Sequence, residues 1–228
     1  MAQPIPTLAF EHIYWSRHLA RVAGIDEVGR GAWAGPVVAG AVILPRPRRI
    51  TEWWTQDALR DLAPARDSKL LSPGQRERLI EQIRAAALAC ATGLATRDEI
   101  DARGIVPATR LAMQRAIAAL GVAADALLID ALRLPGLALP QKAIIHGDQV
   151  SLSIACASIL AKVTRDQMMV ELDARLPGYA FAQHKGYGTA AHRTALEALG
   201  ASEEHRVSFA PIRNLNHEGT KTQSGQTI

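Results

Sequence analysis

Apolar residues occur along the chain in short runs bounded by glycine or proline, a pattern typical of buried strands. Val22–Ile25 and Pro36–Leu44 are two such runs, and Ala126–Asp130 is a third. Lys142–Asp148 repeats the pattern of the third run, apolar residues that end in an acid. Between the first two runs, Asp26–Gly31 is rich in glycine and is predicted to form a tight connection.

Helical patterns fill much of the rest of the chain. Ser72 is predicted to cap an amphipathic helix whose first residue is Pro73, a favourable residue at that position. Further helices are predicted over residues 107–120, over 151–175 and from Thr189 to Gly200, and a strand over 89–96. This order of elements predicts an α/β fold, a mixed sheet with helices on both faces.

Composition is that of a chain able to bury a core. With 228 residues, 48% of them hydrophobic, the sequence allows one large domain. We expect a single domain over residues 1–215, with a helical C-terminal part over about 151–215 packed on it, and a flexible tail over 216–228 because that segment is polar and lacks periodicity.

Charge and cysteine content exclude several classes of protein. The net charge of +4 is compatible with a polyanionic partner. No apolar run approaches the ~20 residues of a membrane span, and Met1–Phe10 lacks the features of a signal peptide. Cys90 and Cys156 lie in apolar stretches and are expected to be reduced, and zinc chemistry is not expected. We therefore expect a cytoplasmic protein with no membrane association.

Four acids stand where apolar runs end: Asp26, Glu27, Asp130 and Asp148. Carboxylates at the ends of buried strands either pair with cations or become neutral. If the strands are neighbours, the acids repel one another unless divalent cations neutralise them, and Mg²⁺ or Mn²⁺ prefers such oxygen ligands. Two ions about 4 Å apart could then hold both oxygens of a phosphodiester displacement.

Each acid taken singly has a simpler explanation. An aspartate at a strand end is often a turn residue or a helix cap, and Asp148, shortly before Ser151, is the most open to that interpretation. Asp26 and Glu27 are adjacent, so in a regular strand their side chains point to opposite faces. Either the strand twists or bulges there, or one of the two contributes its backbone carbonyl.

Five blocks of sequence, in this order along the chain, resemble the ribonuclease HII family. They are Gly24–Gly31 followed by Ala34–Val38; Asp67-Ser68-Lys69 with Leu71-Ser72; Leu128-Ile129-Asp130; Gly147-Asp148 running into Ser153–Asp166; and His184–Thr189. The resemblance covers roughly Ala23 to Leu215. Each block is short, but five in one order are highly specific.

The resemblance implies a ribonuclease H-like fold with a five-stranded mixed sheet. It places the four metal-site acids of the family at Asp26, Glu27, Asp130 and Asp148. It also implies that Gly29-Arg30-Gly31 contacts the ribonucleotide and that Tyr187 packs on the sugar at the RNA–DNA junction. Glycines let the backbone approach closely, and the 2′-OH distinguishes RNA from DNA. Phosphate contacts are expected from Ser68, Lys69, Lys162, Arg165, His184 and Lys185.

Three positions depart from the family pattern. Ala32-Trp33 replaces a proline–leucine pair, so Trp33 either covers the site or only packs. Ala131 stands where glycine is common, and His146 stands where lysine often precedes Gly147. The change at His146 removes a positive charge near Asp148, but none of the three departures replaces an acid.

The implied activity is hydrolysis of the RNA strand of RNA–DNA hybrids, including cuts 5′ to single ribonucleotides in duplex DNA. The resemblance implies a monomer with two Mg²⁺ or Mn²⁺ ions during catalysis, leaving a 3′-OH and a 5′-phosphate. Three alternatives remain: a nuclease or strand transferase that acts on DNA, a non-enzymatic nucleic-acid binder, and a phosphatase for small molecules. The last would leave Gly29-Arg30-Gly31 and Tyr187 unexplained.

Overall fold

The structure is a computed structural model that describes residues 5–56 and 59–215. The tail predicted over 216–228 lies outside the described residues. The strands are β1 (Val22–Val28), β2 (Val37–Ile43), β3 (Ala89–Ala95), β4 (Ala126–Asp130) and β5 (Gln141–Ile144). They form one sheet in the order β3-β2-β1-β4-β5. β1 is antiparallel to β2 and parallel to β4, and β4 is parallel to β5. The predicted five-stranded mixed sheet is confirmed.

The helices begin and end largely where the caps predict. They are α1 (Ala9–Trp15), α2 (Pro73–Ala86), α3 (Arg97–Arg103), α4 (Ile105–Ala118), α5 (Leu152–Arg175), α6 (Phe181–His184) and α7 (Ala190–Leu199). Ser72 caps α2, as predicted, and Thr189, where a helix was predicted to begin, caps α7. α1 and α3 were not predicted from the sequence, although Thr96 and Glu99 form a capping box at the start of α3.

Two predicted element boundaries were wrong, and both corrections concern acids. β1 continues to Val28, so Asp26 and Glu27 lie in the strand and the turn begins after them. β5 ends at Ile144, and Asp148 lies beyond it in a 3₁₀ turn, Gly147–Gln149. The turn is entered through His146 in the left-handed region, which ends the extended backbone before the acid.

Contacts divide the chain into two compact units. Within the described residues, the first unit comprises the chain up to Val28, Val38–Leu94 and Thr109–Thr164. The second comprises Gly29–Val37, Ala95–Ala108 and the chain from Arg165. The single domain over residues 1–215 stays a prediction. No helix in the described part of the chain is long and apolar enough to cross a membrane.

In the first unit the sheet packs directly on the backbone of α5. A Cβ at Gly24 would lie 2.2 Å from the carbonyl carbon of Ser153, and one at Gly40 would lie 2.3 Å from the carbonyl oxygen of Ala157. Gly40 pairs with Asp26 in the neighbouring strand, so this close approach brings α5 next to that acid. The two glycines thus determine how near the helix lies to the acid-bearing strand.

The second unit has a separate apolar cluster. Its buried members include Ala34, Met169, Phe181, Leu196 and Ile212. Three histidines and two arginines are also buried in this unit, and they act on the loops described below.

Candidate active site

Strand register brings three of the four acids to one end of the sheet. Ile25 of β1 pairs with Ile129 of β4, so Asp26 and Asp130 follow at the same end of neighbouring parallel strands. The backbone N–H of Gly147 donates to Oδ1 of Asp130 at 2.7 Å, which ties the turn that carries Asp148 to the end of β4. The acids thus converge from β1, β4 and the turn after β5.

The carboxyl groups of these acids lie close enough to act on one another electrostatically. Burial raises the pKa of Asp26 well above its usual value, and Glu27, Asp130 and Asp148 raise it further, whereas a hydrogen bond with Ser158 lowers it. The pKa of Asp148 is raised to about 6 by burial, by Asp67 and by Asp130, against the effect of Lys69. Negative charge is therefore unfavourable here without a cation.

Glu27 lies in an unbroken part of β1. Asp26 pairs with Gly40 and Glu27 with Ala39 in consecutive register, so the strand has no bulge at this point. The N–H of Glu27 donates to Oδ1 of Asp26 at 2.7 Å. Of the possibilities that the sequence left open, the twist of the strand and a contribution through a backbone carbonyl remain.

Asp67 is an acid at this site that the sequence analysis did not assign. Its Oδ1 accepts a hydrogen bond from the N–H of Lys69 at 3.0 Å and caps the 3₁₀ turn Ser68–Leu70. Its carboxyl group also shares a side-chain hydrogen bond with Asp148. The motif Asp67-Ser68-Lys69 was a usable signal, since Asp67 is its first residue.

The phosphate-contact candidates of the first unit differ in exposure. Ser68 is buried, and its Oγ lies within hydrogen-bond distance of Oγ of Ser158, at 3.1 Å. Because Ser158 also bonds to Asp26, Ser68 is linked to the acids through one side chain. Lys69 is exposed and Lys162 is half-buried. Lys69 therefore has the more accessible ammonium group of the two.

The acids suit a divalent cation by their chemistry. Among residues 5–56 and 59–215, no three acid, histidine or cysteine side chains stand ready in a ligand arrangement for a metal ion. The donors are nevertheless all carboxylate oxygens, as Mg²⁺ and Mn²⁺ prefer. Burial and, after it, repulsion by the other acids raise the pKa of Asp26, and a bound cation would relieve that repulsion. Asp26, Glu27, Asp130 and Asp148 therefore fit such an ion as a donor set.

The turn Gly29-Arg30-Gly31 lies in the second unit, where Gly29 requires its glycine. Its φ is +93°, and an added Cβ would lie 2.1 Å from Nε of Arg165. Arg30 is half-buried and Gly31 is exposed. The carbonyl of Arg30 accepts from Nη1 of Arg206 at 3.0 Å. The turn therefore rests on two arginine side chains.

Arg165 and Arg206 are both fully buried and donate to backbone carbonyls. Arg165 bonds to Pro36 at 2.9 Å, to Lys185 at 2.8 Å and to Ala34 at 3.1 Å. Arg206 bonds twice to the carbonyl of Gly35, at 3.0 and 2.8 Å. The phosphate contact expected of Arg165 thus has no exposed donor in this structure, and the side chain holds loops instead.

The last motif, His184–Thr189, forms a loop beside Arg165. Tyr187 of this loop is half-buried, and the guanidinium carbon of Arg165 lies 5.5 Å from the centre of its ring. His184 is buried and uses both ring nitrogens inside the protein. Lys185 is half-buried and donates to the carbonyl of Ala182. Trp33 packs here, since a Cβ at Gly188 would lie 2.0 Å from its ring. Tyr187 is thus presented by a tightly packed loop.

Comparison with known proteins gives one family. A family model described as Ribonuclease HII matches residues 23–212. Ribonuclease HII of Chloroflexus aurantiacus is 52% identical over 208 residues, which cover 91% of this chain and 95% of that protein. Ribonuclease HII of Thermus thermophilus is 50% identical over 199 residues, 87% and 90% of the two chains.

Solved structures agree on the fold. The crystal structure of ribonuclease H2 from Pyrococcus horikoshii OT3 aligns with a TM-score of 0.70 at 24% identity, covering 88% of this chain and 99% of that one. Bst-RNase HIII in complex with Mn²⁺ aligns with a TM-score of 0.58 at 20% identity, covering 89% and 71%. These likenesses confirm the ribonuclease H-like fold. Taken together with the family match, they show that the chain belongs to the ribonuclease HII family, metal-dependent endonucleases that degrade the RNA of RNA–DNA hybrids.

Proposed function

We propose that this protein cuts RNA–DNA hybrids and also cuts 5′ to single ribonucleotides embedded in duplex DNA, an activity suited to ribonucleotide excision. The observation that carries the proposal is the convergence of the acids: Asp26 and Asp130 lie at the same end of neighbouring strands, and the turn that carries Asp148 is hydrogen-bonded to Asp130. Such a cluster is costly for a fold to maintain unless cations bind to it. The products are a 3′-OH and a 5′-phosphate.

Asp26, Glu27, Asp130 and Asp148 are the proposed ligands of two Mg²⁺ or Mn²⁺ ions during catalysis. When bound, the ions would activate the attacking water and stabilise the leaving oxygen. The chain supplies the oxygen ligands and holds them in place. Gly147 fixes the carboxylate of Asp130, and Ser158 fixes that of Asp26.

Gly29-Arg30-Gly31 is the proposed reader of the ribonucleotide. The positive φ of Gly29 and the exposure of Gly31 allow backbone groups to come close to a 2′-OH. The carbonyl of Arg30 is held by Arg206, so the turn keeps one conformation. A fixed turn discriminates better than a mobile one, because little conformational freedom is lost on binding.

Other contacts are proposed according to exposure. Lys69, Lys162 and Lys185 are proposed phosphate contacts, whose cations would position the duplex without reading its sequence. Ser68, Arg165 and His184 are buried, so we propose that they support the substrate-binding loops from inside. We also propose that the protein acts as a monomer, which sedimentation analysis would test.

A duplex with one embedded ribonucleotide provides the test of the main proposal. With Mg²⁺ or Mn²⁺ we expect a single cut 5′ to the ribonucleotide, and with EDTA we expect none, because the carboxylates need cations to approach a phosphate. Sequencing gels and end-group analysis would locate the cut and identify the 3′-OH. The matched control is the same duplex in all-DNA form. Equal cutting of that control would contradict the proposal.

Tyr187→Ala should reduce the preference for single ribonucleotides. Packing of an aromatic ring on a nucleotide contributes about 1–3 kcal/mol, so we expect kcat/KM on the single-ribonucleotide duplex to fall about 10-fold or more. The fall on a continuous RNA–DNA hybrid should be smaller, since more contacts remain. Tyr187→Phe keeps the ring and should stay near wild type. An equal loss of kcat/KM on both substrates would contradict a role of Tyr187 in substrate preference.

A further inference from the structure

Three histidines are buried together in the second unit, and the ribonuclease reaction proposed above uses none of them directly. His184 is 6% exposed, and His192 and His205 are completely buried. Burial lowers the pKa of His192 to about 4, and burial with the neighbouring His192 lowers that of His205 to about 4. Both rings are therefore neutral at neutral pH, and each carries one proton whose position can be assigned.

Hydrogen-bond partners assign the protons on His205 and His192. The backbone N–H of Ser202 can only donate, and it lies 2.9 Å from Nδ1 of His205, so that nitrogen accepts and the proton is on Nε2. Nε2 of His205 lies 3.0 Å from Nε2 of His192, which must accept in turn. The proton of His192 is then on Nδ1, 3.0 Å from the carbonyl oxygen of Tyr187.

His184 acts on the same loop from a second side. The N–H of Gly186 donates to its Nδ1 at 3.1 Å, so its proton is on Nε2, which donates to the carbonyl of Tyr179 at 2.7 Å. The ring stacks on that of His192, with centroids 4.3 Å apart and planes 13° apart. Neutral histidines thus hold a backbone group of Gly186 and one of Tyr187.

Cations surround the loop without pairing with these rings. Arg165 lies against the Tyr187 ring and donates to the carbonyl of Lys185. Arg193 donates to the carbonyl of Gly188 at 3.4 Å and lies over Trp33, whose ring is 5.5 Å from that of His192. With this much of its backbone held, the loop can place the Tyr187 ring in one orientation.

We propose that His192 and His205 are positioning residues for substrate specificity. A directed chain of hydrogen bonds runs from Ser202 through His205 and His192 to the carbonyl of Tyr187, and it sets the orientation in which that ring meets the sugar. The inference rests on the proposed role of Tyr187. If the histidines had a purely structural role, their substitution would change only stability. In the proposed role, substrate specificity also depends on the direction of these hydrogen bonds.

Two substitutions at one position separate the two links of the chain. The side-chain amide of asparagine lies where Nδ1 of histidine lies, and that of glutamine lies where Nε2 lies. His192→Asn therefore keeps the donor to Tyr187 and loses the link to His205. His192→Gln keeps the link to His205 and loses the donor to Tyr187. Both variants remove the ring and keep a side-chain amide, and they differ by one methylene group.

The measurement is the ratio of kcat/KM on the single-ribonucleotide duplex to kcat/KM on a continuous hybrid, made on the full chain with Mg²⁺. We expect the ratio to fall about fivefold in His192→Gln, toward that of Tyr187→Ala, and to stay within about twofold of wild type in His192→Asn. Adding His192→Gln to Tyr187→Ala should lower the ratio no further. A wild-type ratio in His192→Gln, or equal ratios in the two variants, would overturn the inference.

Two further measurements keep the outcomes distinct. If Tyr187→Ala lowers the ratio and His192→Gln does not, the positioning role fails and the proposed function stands. If Tyr187→Ala leaves the ratio unchanged, the role of Tyr187 fails and the inference fails with it. Ring ¹⁵N spectra of the wild-type protein test the chain without any variant. We expect Nδ1–H on His192 and Nε2–H on His184 and His205, and any other tautomer overturns the chain.

Discussion

Asp26→Asn is expected to abolish most hydrolysis and, in metal-free buffer, to make the protein more stable. The carboxylate is buried among like charges, so its ionised form is disfavoured by burial and by Glu27, Asp130 and Asp148. Asparagine has nearly the same shape without the charge. We expect activity to fall by about 10²–10³-fold or more, as for loss of a group that stabilises the transition state. Unfolding free energy in metal-free buffer should rise, because asparagine removes a carboxylate whose ionised form the native state disfavours.

Chemical denaturation in EDTA and hydrolysis of a hybrid in Mg²⁺ would measure the two effects on one protein. Asp61→Asn is the matched control, because Asp61 is an exposed acid in the same unit and should change neither quantity. Added Mg²⁺ should stabilise the wild type more than Asp26→Asn, since the ion binds the native state. A less stable Asp26→Asn in EDTA would contradict the account of the site as a cluster of repelling charges.

Of the four acids, Asp130 is the one whose structural element the sequence pattern predicted correctly. Asp130 ends an apolar run that the structure confirms as β4 in full. For Asp148 the pattern predicted a strand, because periodicity cannot detect that His146 turns the backbone into the left-handed region. The role of Asp67 depends on a contact with Asp148 far along the chain, which local sequence does not encode. Contacts between acids that are far apart in the sequence could therefore be found only from the tertiary structure.

At the positions that depart from the family pattern, too, the sequence alone could not predict the local structure. Ala131 adopts a φ of +53°, a region in which glycine is favoured, so the common glycine at this position has a backbone reason. Trp33 packs against Gly188 and His192, which settles that it packs. Neither conclusion was available from the sequence, because backbone angles and the partner of an aromatic ring both follow from tertiary structure.

The two buried arginines were the least predictable part of the molecule. Phosphates are bound by cations, and Arg165 was therefore predicted to contact the backbone of the substrate. The structure instead gives it three carbonyl partners within the second unit. A planar guanidinium with five N–H donors can serve several carbonyls at once, as a lysine ammonium on a flexible stem cannot. Arg165 is therefore buried because the surrounding loops direct several carbonyl groups at its guanidinium.

Arg165→Met is expected to destabilise the protein by about 3 kcal/mol. The substitution keeps an unbranched apolar stem but leaves three carbonyl groups without their donor, and each unsatisfied buried acceptor costs about 1–3 kcal/mol. Methionine has no charge to bury, and this offsets part of the loss of stability. The cost of burying the guanidinium is seen in the pKa of Arg165, which burial lowers. For a chain of this length the melting temperature should fall by roughly 6–12 °C, measured by calorimetry.

Two comparisons make that result specific. Arg165→Lys should also lose stability, since its single ammonium cannot reach the carbonyls of Ala34, Pro36 and Lys185 together. Arg213→Met, an exposed arginine of the same unit, should stay within about 0.5 kcal/mol of wild type. Wild-type stability in Arg165→Met would mean that the loops hold their conformation without the buried cation, and Arg165 would then have to be assigned again to direct contact with a phosphate.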